Sequence, residues 1–186
     1  MKKAVLAITL AAAFMAPAGI KLGTVDMMKL VKNHPSYETN RTLLTSTEKD
    51  YKKKLDALKA EVEEVQEEGK RLAEQLRNPM LAAKAKADIE KKIVDVQNRF
   101  IAAQQKLRGE AMRSQQDLAD LEARLLKAQT SDLRKRIGEF SKDKGYDMIV
   151  DSQAAVFSKD VYDVTGEILK AMGVDPAKAK DANESK

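Results

Sequence analysis

Tyr51–Leu107 reads YKKKLDALKAEVEEVQEEGKRLAEQLRNPMLAAKAKADIEKKIVDVQNRFIAAQQKL, and its apolar positions decide the fold. Tyr51, Leu55, Leu58, Val62, Val65, Gly69, Leu72 and Leu76 are separated alternately by four and three residues, the narrow seam of a coiled-coil helix. Beyond Asn78-Pro79, Ile89, Ile93, Val96, Phe100, Ala103 and Leu107 keep the same alternation. A reversal at Asn78-Pro79 pairs the seams as Tyr51 with Leu107, Leu55 with Ala103, Leu58 with Phe100, Val62 with Val96, Val65 with Ile93, and Gly69 with Ile89. The numbers in each pair sum to 158, as an antiparallel hairpin requires. The expected object is a long, thin two-helix arm, not a globular core.

The first helix of this arm is expected from an N-cap at Ser36 to Arg77, about 60 Å at 1.5 Å per residue. The second opens at Pro79, a residue suited to the first helical position, and runs to Lys144. Its seam weakens through Glu110, Ala111 and Ser114, then resumes at Leu118, Leu121, Leu125, Leu133, Ile137 and Phe140. In the pairing above, this weak stretch faces Thr47 and Glu48. Gly109 adds a residue that costs a helix about 0.8–1.0 kcal/mol relative to alanine. The reading therefore expects the arm to flex near residues 105–115, with an ordinary seam irregularity as the alternative.

The two ends of the chain supply the rest. Ile20–Met27 reads as a strand and Met28–Lys32 as a short helix stopped by Asn33-His34-Pro35, because proline disfavours helix in the residue before it. After Gly145, a helix stop, Tyr146–Asp151 and Ala154–Phe157 read as strands around a Ser152-Gln153 turn. Asp160–Met172 carries Val161, Val164, Ile168 and Met172 on one helical face. The tail 174–186 has too little apolar content to order itself and is read as disordered. The fold class is mainly α with a small β body: a coiled-coil hairpin arm (38–140, tip near 78–79) projecting from an oligomeric β-rich base (19–37 with 141–173). So small a body leaves sheet edges and apolar faces, for which burial between subunits is the simplest remedy.

Residues 1–18 read as a cleaved signal peptide: Lys2 and Lys3, an apolar stretch from Ala4 to Met15, then Ala16-Pro17-Ala18. The product would be periplasmic. Losing Lys2 and Lys3 would lower the net charge of +5 by two, leaving a mildly basic chain without the signature of a dedicated nucleic-acid binder. Charged residues at 34% against aromatics at 4% suit solvated helices rather than a large compact core.

Enzyme motifs are missing. There is no phosphate loop of the form GxxxxGK[ST] and no cysteine, and His34 is the single histidine, read as a turn residue beside Pro35. This removes disulfides and the usual thiol, zinc and serine–histidine arrangements, so no catalytic residue, metal or cofactor is assigned. Glu61, Glu63, Glu64, Glu67 and Glu68 could suggest a cation site, but with lysines adjacent on a helix they read as a solvated face.

Charge along the arm is more informative. Glu48–Glu68 holds five lysines against eight acids. At the reversal, Lys70, Arg71, Arg77, Lys84, Lys86, Lys91 and Lys92 stand against only Glu74, Asp88 and Glu90, a local +4. These seven residues are the candidate contacts for acidic clients or anionic lipid head groups, which attract each nearby lysine or arginine by about 1 kcal/mol. Plain helix solvation is the alternative.

The segment YDMIVDSQAAVFSKDVYDVTGEILKAM resembles the C-terminal signature of the Skp (OmpH-like) periplasmic chaperone family. The likeness is carried by Ile149-Val150-Asp151, Ala154, Asp160-Val161, Asp163-Val164-Thr165 and Ile168-Leu169-Lys170, with the strand Lys21–Met27 ahead of a charged hairpin. It is specific at the two ends, since charged arm residues resemble any coiled coil. The resemblance implies a homotrimer whose hairpin arms surround a cavity that holds unfolded outer-membrane proteins without nucleotide. It transfers no catalytic residue, and the lipopolysaccharide-binding positions proposed in the family are not carried over to residues here; an anionic membrane surface or lipopolysaccharide enters as a candidate partner of the basic tip. The function read from it is an ATP-independent periplasmic holdase; the alternative is an exported structural or adaptor coiled coil that docks a folded partner.

Overall fold

The computed structural model describes residues 19–181, so the expected signal peptide lies outside the described residues. Its contacts group the described chain into two units, 34–133 and 19–33 with 134–181.

The unit 34–133 holds α2 (Tyr37–Leu76) and most of α3 (Ala83–Lys144), two long helices packed together; the short helix α1 (Met27–Lys32) and the strands belong to the other unit. Burial follows the predicted seam. Leu58 and Val65 are buried on α2, and Val96, Ala103, Ser114, Gln129 and Leu133 on α3.

The helix pairing differs from the expected register by one heptad. A Cβ on Gly69 would lie 3.3 Å from Val96 Cγ1, so Gly69 opposes Val96 and not Ile89; that pair sums to 165, seven more than expected. Cross-helix ion pairs agree: Lys54–Glu110 at 2.5 Å, Glu68–Arg99 at 3.0 Å and Glu61–Lys106 at 2.9 Å. An apolar seam that repeats every seven residues tolerates a slip of seven without exposing one apolar side chain. Charge breaks the tie: slipped back one heptad, Lys106 would face Lys54 in place of Glu61. Glu110, Ala111 and Ser114 consequently face Tyr51, Lys54 and Leu55 instead of Thr47 and Glu48. The expected weak point is continuous helix through an exposed Gly109, and Ser114 is 2% exposed, its hydroxyl without a hydrogen-bond partner among the described residues.

His34 opens this unit. The Ser36 backbone N–H donates to His34 Nδ1 at 3.2 Å, which leaves Nε2 to donate to Asp132 at 3.0 Å. Ser36 lacks the side-chain cap expected of it, because its hydroxyl pairs with the imidazole at 2.8 Å.

In the other unit, β1 (Leu22–Val25) lies parallel to β2 (Met148–Asp151), with Leu22 opposite Met148 and Val25 opposite Asp151. Among the described residues the sheet has these two strands. The strand expected at 154–157 does not form. Asp151 Oδ1 accepts the Gln153 N–H at 3.1 Å and turns the chain into a 3₁₀ turn, Ser152–Ala154, leaving Val156 and Phe157 exposed without a ladder partner. Thr24 instead forms a single bridge to Asp163, and its carbonyl accepts the Val164 N–H at 2.9 Å. That bridge splits the helix expected over 160–172 into a 3₁₀ turn, Asp160–Tyr162, and α4 (Thr165–Ala171).

Asp26 caps α1 (Met27–Lys32) by accepting the Lys29 N–H at 2.9 Å, and its own N–H donates to the Thr165 hydroxyl at 2.9 Å. Asp163 in turn accepts from Thr165 N–H at 2.8 Å. This polar relay closes one end of a core made by Val25, Leu30, Val31, Phe140, Val164, Ile168 and Leu169. Phe140 stacks on Tyr146 with centroids 5.8 Å apart, which explains why residues 134–140, expected on the arm, group with the body. Gly145 and Gly173 end their helices at φ +68° and +80°, where other residues are strained.

The described part of the tail, 174–181, differs from the expected disorder, while 182–186 lie outside the described residues. Residues 174–181 form a 3₁₀ turn at Pro176–Lys178 and are fastened to α1 by polar contacts that apolar content does not reveal. Asn33 exchanges hydrogen bonds with Lys180 at 2.9 Å in both directions, and Lys29 pairs with Asp181 at 2.8 Å.

Candidate functional site at the helix reversal

The reversal is built from α2's last turn, residues 77–82 and the first turns of α3. Arg77 and Asn78 N–H groups bond back to Glu74 and Gln75 carbonyls at 3.2 and 3.1 Å, tightening the end of α2. Asn78 then turns the chain: its side-chain oxygen accepts the Met80 N–H at 3.0 Å and its carbonyl accepts from Leu81 at 3.4 Å. These bonds hold Pro79 in the turn, so α3 begins at Ala83 instead of at Pro79. Six residues separate the helices, and in the observed register α3's first turns run past the end of α2.

The predicted basic residues stand at this end. Lys70, Arg71, Arg77, Lys84, Lys91 and Lys92 are exposed and Lys86 is half-buried. Lys70 is engaged by Glu67 at 2.6 Å within its own helix, which partly neutralises it. Lys84 and Lys86 occupy the first turn of α3, which has no acidic residue, so their charge adds to the positive end of the helix dipole. Met80 protrudes at 89% exposure among them. The end is therefore cationic with an apolar point. It can attract anions or polyanionic surfaces, and it holds no arrangement for bond-making chemistry.

The glutamates read as a solvated face do more than that: Glu61 and Glu68 pair across the helices, which sequence reasoning missed because pairing depends on register. A second feature it missed is a groove of about 580 Å³ beside Tyr51, lined by Thr47, Asp117, Asp120, Leu121, Ala123, Arg124 and Lys127. The Tyr51 hydroxyl donates to Asp117 at 3.2 Å. Its phenol is pushed above the ordinary tyrosine value by desolvation first and by Asp117 second. Among the described residues no His, Cys, Asp and Glu cluster could hold a metal ion, and no helix is long and apolar enough to cross a membrane.

Comparison with known proteins gives one family. Residues 21–172 match the family described as Outer membrane protein (OmpH-like), a span that includes the hairpin and both ends of the body. A search of the curated proteins returned no match.

Proposed function

The chain belongs to the OmpH-like family, and from that premise we propose that it is an ATP-independent holdase that keeps unfolded outer-membrane proteins from aggregating. The family is periplasmic and associated with outer-membrane-protein chaperoning, and it is not known as enzymatic. The observation that carries the reading is the span of the match, which joins the hairpin to the body in one family unit.

The hairpin supports the mechanism. Its seam side chains are consumed in pairing the helices, so a client meets many weak, separate contacts that act together through effective concentration. It stays mobile, and its folding in the outer membrane drains the equilibrium without fuel. In this reading residues 1–18 direct export, and three copies arrange their hairpins around a cavity. Support for self-assembly comes from the body: a two-stranded sheet is marginal alone, and Ile20, Met148, Val156, Phe157 and Val161 are exposed. The basic residues from Lys70 to Lys92 serve acidic client segments, an anionic membrane surface or lipopolysaccharide.

Dilution of a urea-unfolded outer-membrane protein into buffer, followed by light scattering, tests the function. Suppression without ATP is expected. Undiminished aggregation would sink the reading in favour of an adaptor coiled coil. Raising salt should weaken the part of the affinity that depends on the basic end, and salt-insensitive binding would remove that electrostatic component.

A further inference from the structure

Segment 174–181 sits on the body as a bound peptide sits on a receptor. Val174, Pro176 and Ala179 are half-buried and point inward, while Asp175, Ala177, Lys178, Lys180 and Asp181 are exposed. Asp175 Oδ1 accepts the Ala177 N–H at 3.0 Å, which sets the 3₁₀ turn. The Pro176 ring then lies over α4, where a Cβ on Gly166 would be 3.9 Å from Pro176 Cβ. The far end of the segment lies on α1. Asn33's carboxamide, which can both donate and accept, takes the Lys180 N–H and donates to the Lys180 carbonyl, both at 2.9 Å. That pair of bonds recognises backbone and not a side chain. Beside it, Lys29 Nζ pairs with Asp181 Oδ1 at 2.8 Å, and Lys32 Nζ donates to the Asp181 carbonyl at 3.4 Å.

We propose, independently of the holdase reading, that α1 and α4 form a peptide-binding site which the chain's own tail occupies in cis as an autoinhibitory strap. The ligand class is a short peptide with a proline turn over α4 and a carboxylate at the lysines of α1. Two observations separate the site from its occupant. The family match covers all of α1 and α4 and ends at residue 172, short of Val174, so the site lies inside the family unit and the strap lies outside it. The hold is also of an exchangeable kind. The Lys29 and Asp181 side chains are 26% and 69% exposed, and water and salt weaken an ion pair at such exposure. None of the strap's inward side chains is fully buried. A segment tethered directly to the end of α4 stays closed because its effective concentration at the site is high, not because each contact is strong. A free peptide must wait for the strap to lift, so its apparent affinity falls with the fraction of open chains.

The test uses the full chain carrying Val174→Asp and Pro176→Asp, which charge two inward points of the strap and leave α1 and α4 unaltered. Faster protease cleavage within 174–181 reports release. A fluorescein-labelled peptide VDPAKAKD, the sequence of 174–181, is then titrated and followed by anisotropy. It should bind the released variant at least about tenfold more tightly than the unmodified chain. Adding Lys29→Ala, which takes from the peptide's last carboxylate its ion-pair partner, should remove most of that gain. Equal binding to the released and unmodified chains overturns the autoinhibitory contact. Absence of saturable binding to the released variant at millimolar peptide, or equal binding of a scrambled peptide, overturns the site. If the aspartates lower the circular-dichroism melting temperature, Asp181→Lys, which sets like charge against Lys29, replaces them under the same criteria. Unchanged cleavage in both variants also counts against the strap. No client protein enters these measurements, so the strap and the holdase reading stand or fall separately.

Discussion

Two glycines in the hairpin look alike in sequence and have different surroundings. A Cβ on Gly109 meets open space, so Gly109→Ala should recover most of the helix cost of glycine, about 0.8–1.0 kcal/mol, measured by urea denaturation. A Cβ on Gly69 would lie 3.3 Å from Val96 Cγ1, so Gly69→Ala should gain less or lose, and adding Val96→Ala should relieve the contact at the cost of the two methyls it removes. Equal stabilisation by the two alanines would mean that Gly69 does not oppose Val96. The same scale explains why three signature residues resisted interpretation from sequence. Asp163, Val164 and Thr165 carried the family likeness without a visible role, because what they do is long-range: Val164 N–H bonds to Thr24, and Thr165 satisfies Asp26.

At the scale of elements, the hairpin and its reversal were legible because heptads and an Asn-Pro break are local signals. The register was not legible, since the apolar pattern is unchanged by a seven-residue slip. Cysteines at positions 69 and 96 should therefore form a disulfide within one molecule, in a chain that has no cysteine of its own, whereas cysteines at 62 and 96 should not. The reverse result would restore the shorter register. The tail offers a pH test. Asp181's carboxyl is held below its usual range by the hydrogen bond from Lys29 and then by its charge, and Lys29 is raised chiefly by the same bond. A lowered carboxylate contributes above its ordinary value and loses that contribution as pH falls through the folded one; a raised lysine loses its own only at alkaline pH. Segment 174–181 should thus be protected from protease at neutral pH and released in strong acid, and Lys29→Ala should weaken its protection at neutral pH. Unchanged cleavage across that range would show that the ion pair does not hold the tail.

For the whole molecule, the proposed assembly depends on the apolar residues the body leaves exposed. Val156→Asp with Phe157→Asp should lower the sedimentation coefficient while the helical circular-dichroism signal persists. Unaltered sedimentation would place the contact between copies elsewhere. The basic end was found from sequence because charge density along a helix survives folding unchanged.

The sequence by itself determined two long helices, the place where the chain turns back, the sign of the charge there and the family likeness at the two ends. The first three follow from periodicity, helix-breaking residues and composition, which act over a few residues at a time. Only the tertiary structure decided which heptad faces which, that 154–157 forms no strand, and that the tail up to Asp181 is fastened. Those outcomes depend on contacts between residues far apart in the chain, where several pairings satisfy the same local pattern and cross-chain charges, hydrogen bonds and packing select one.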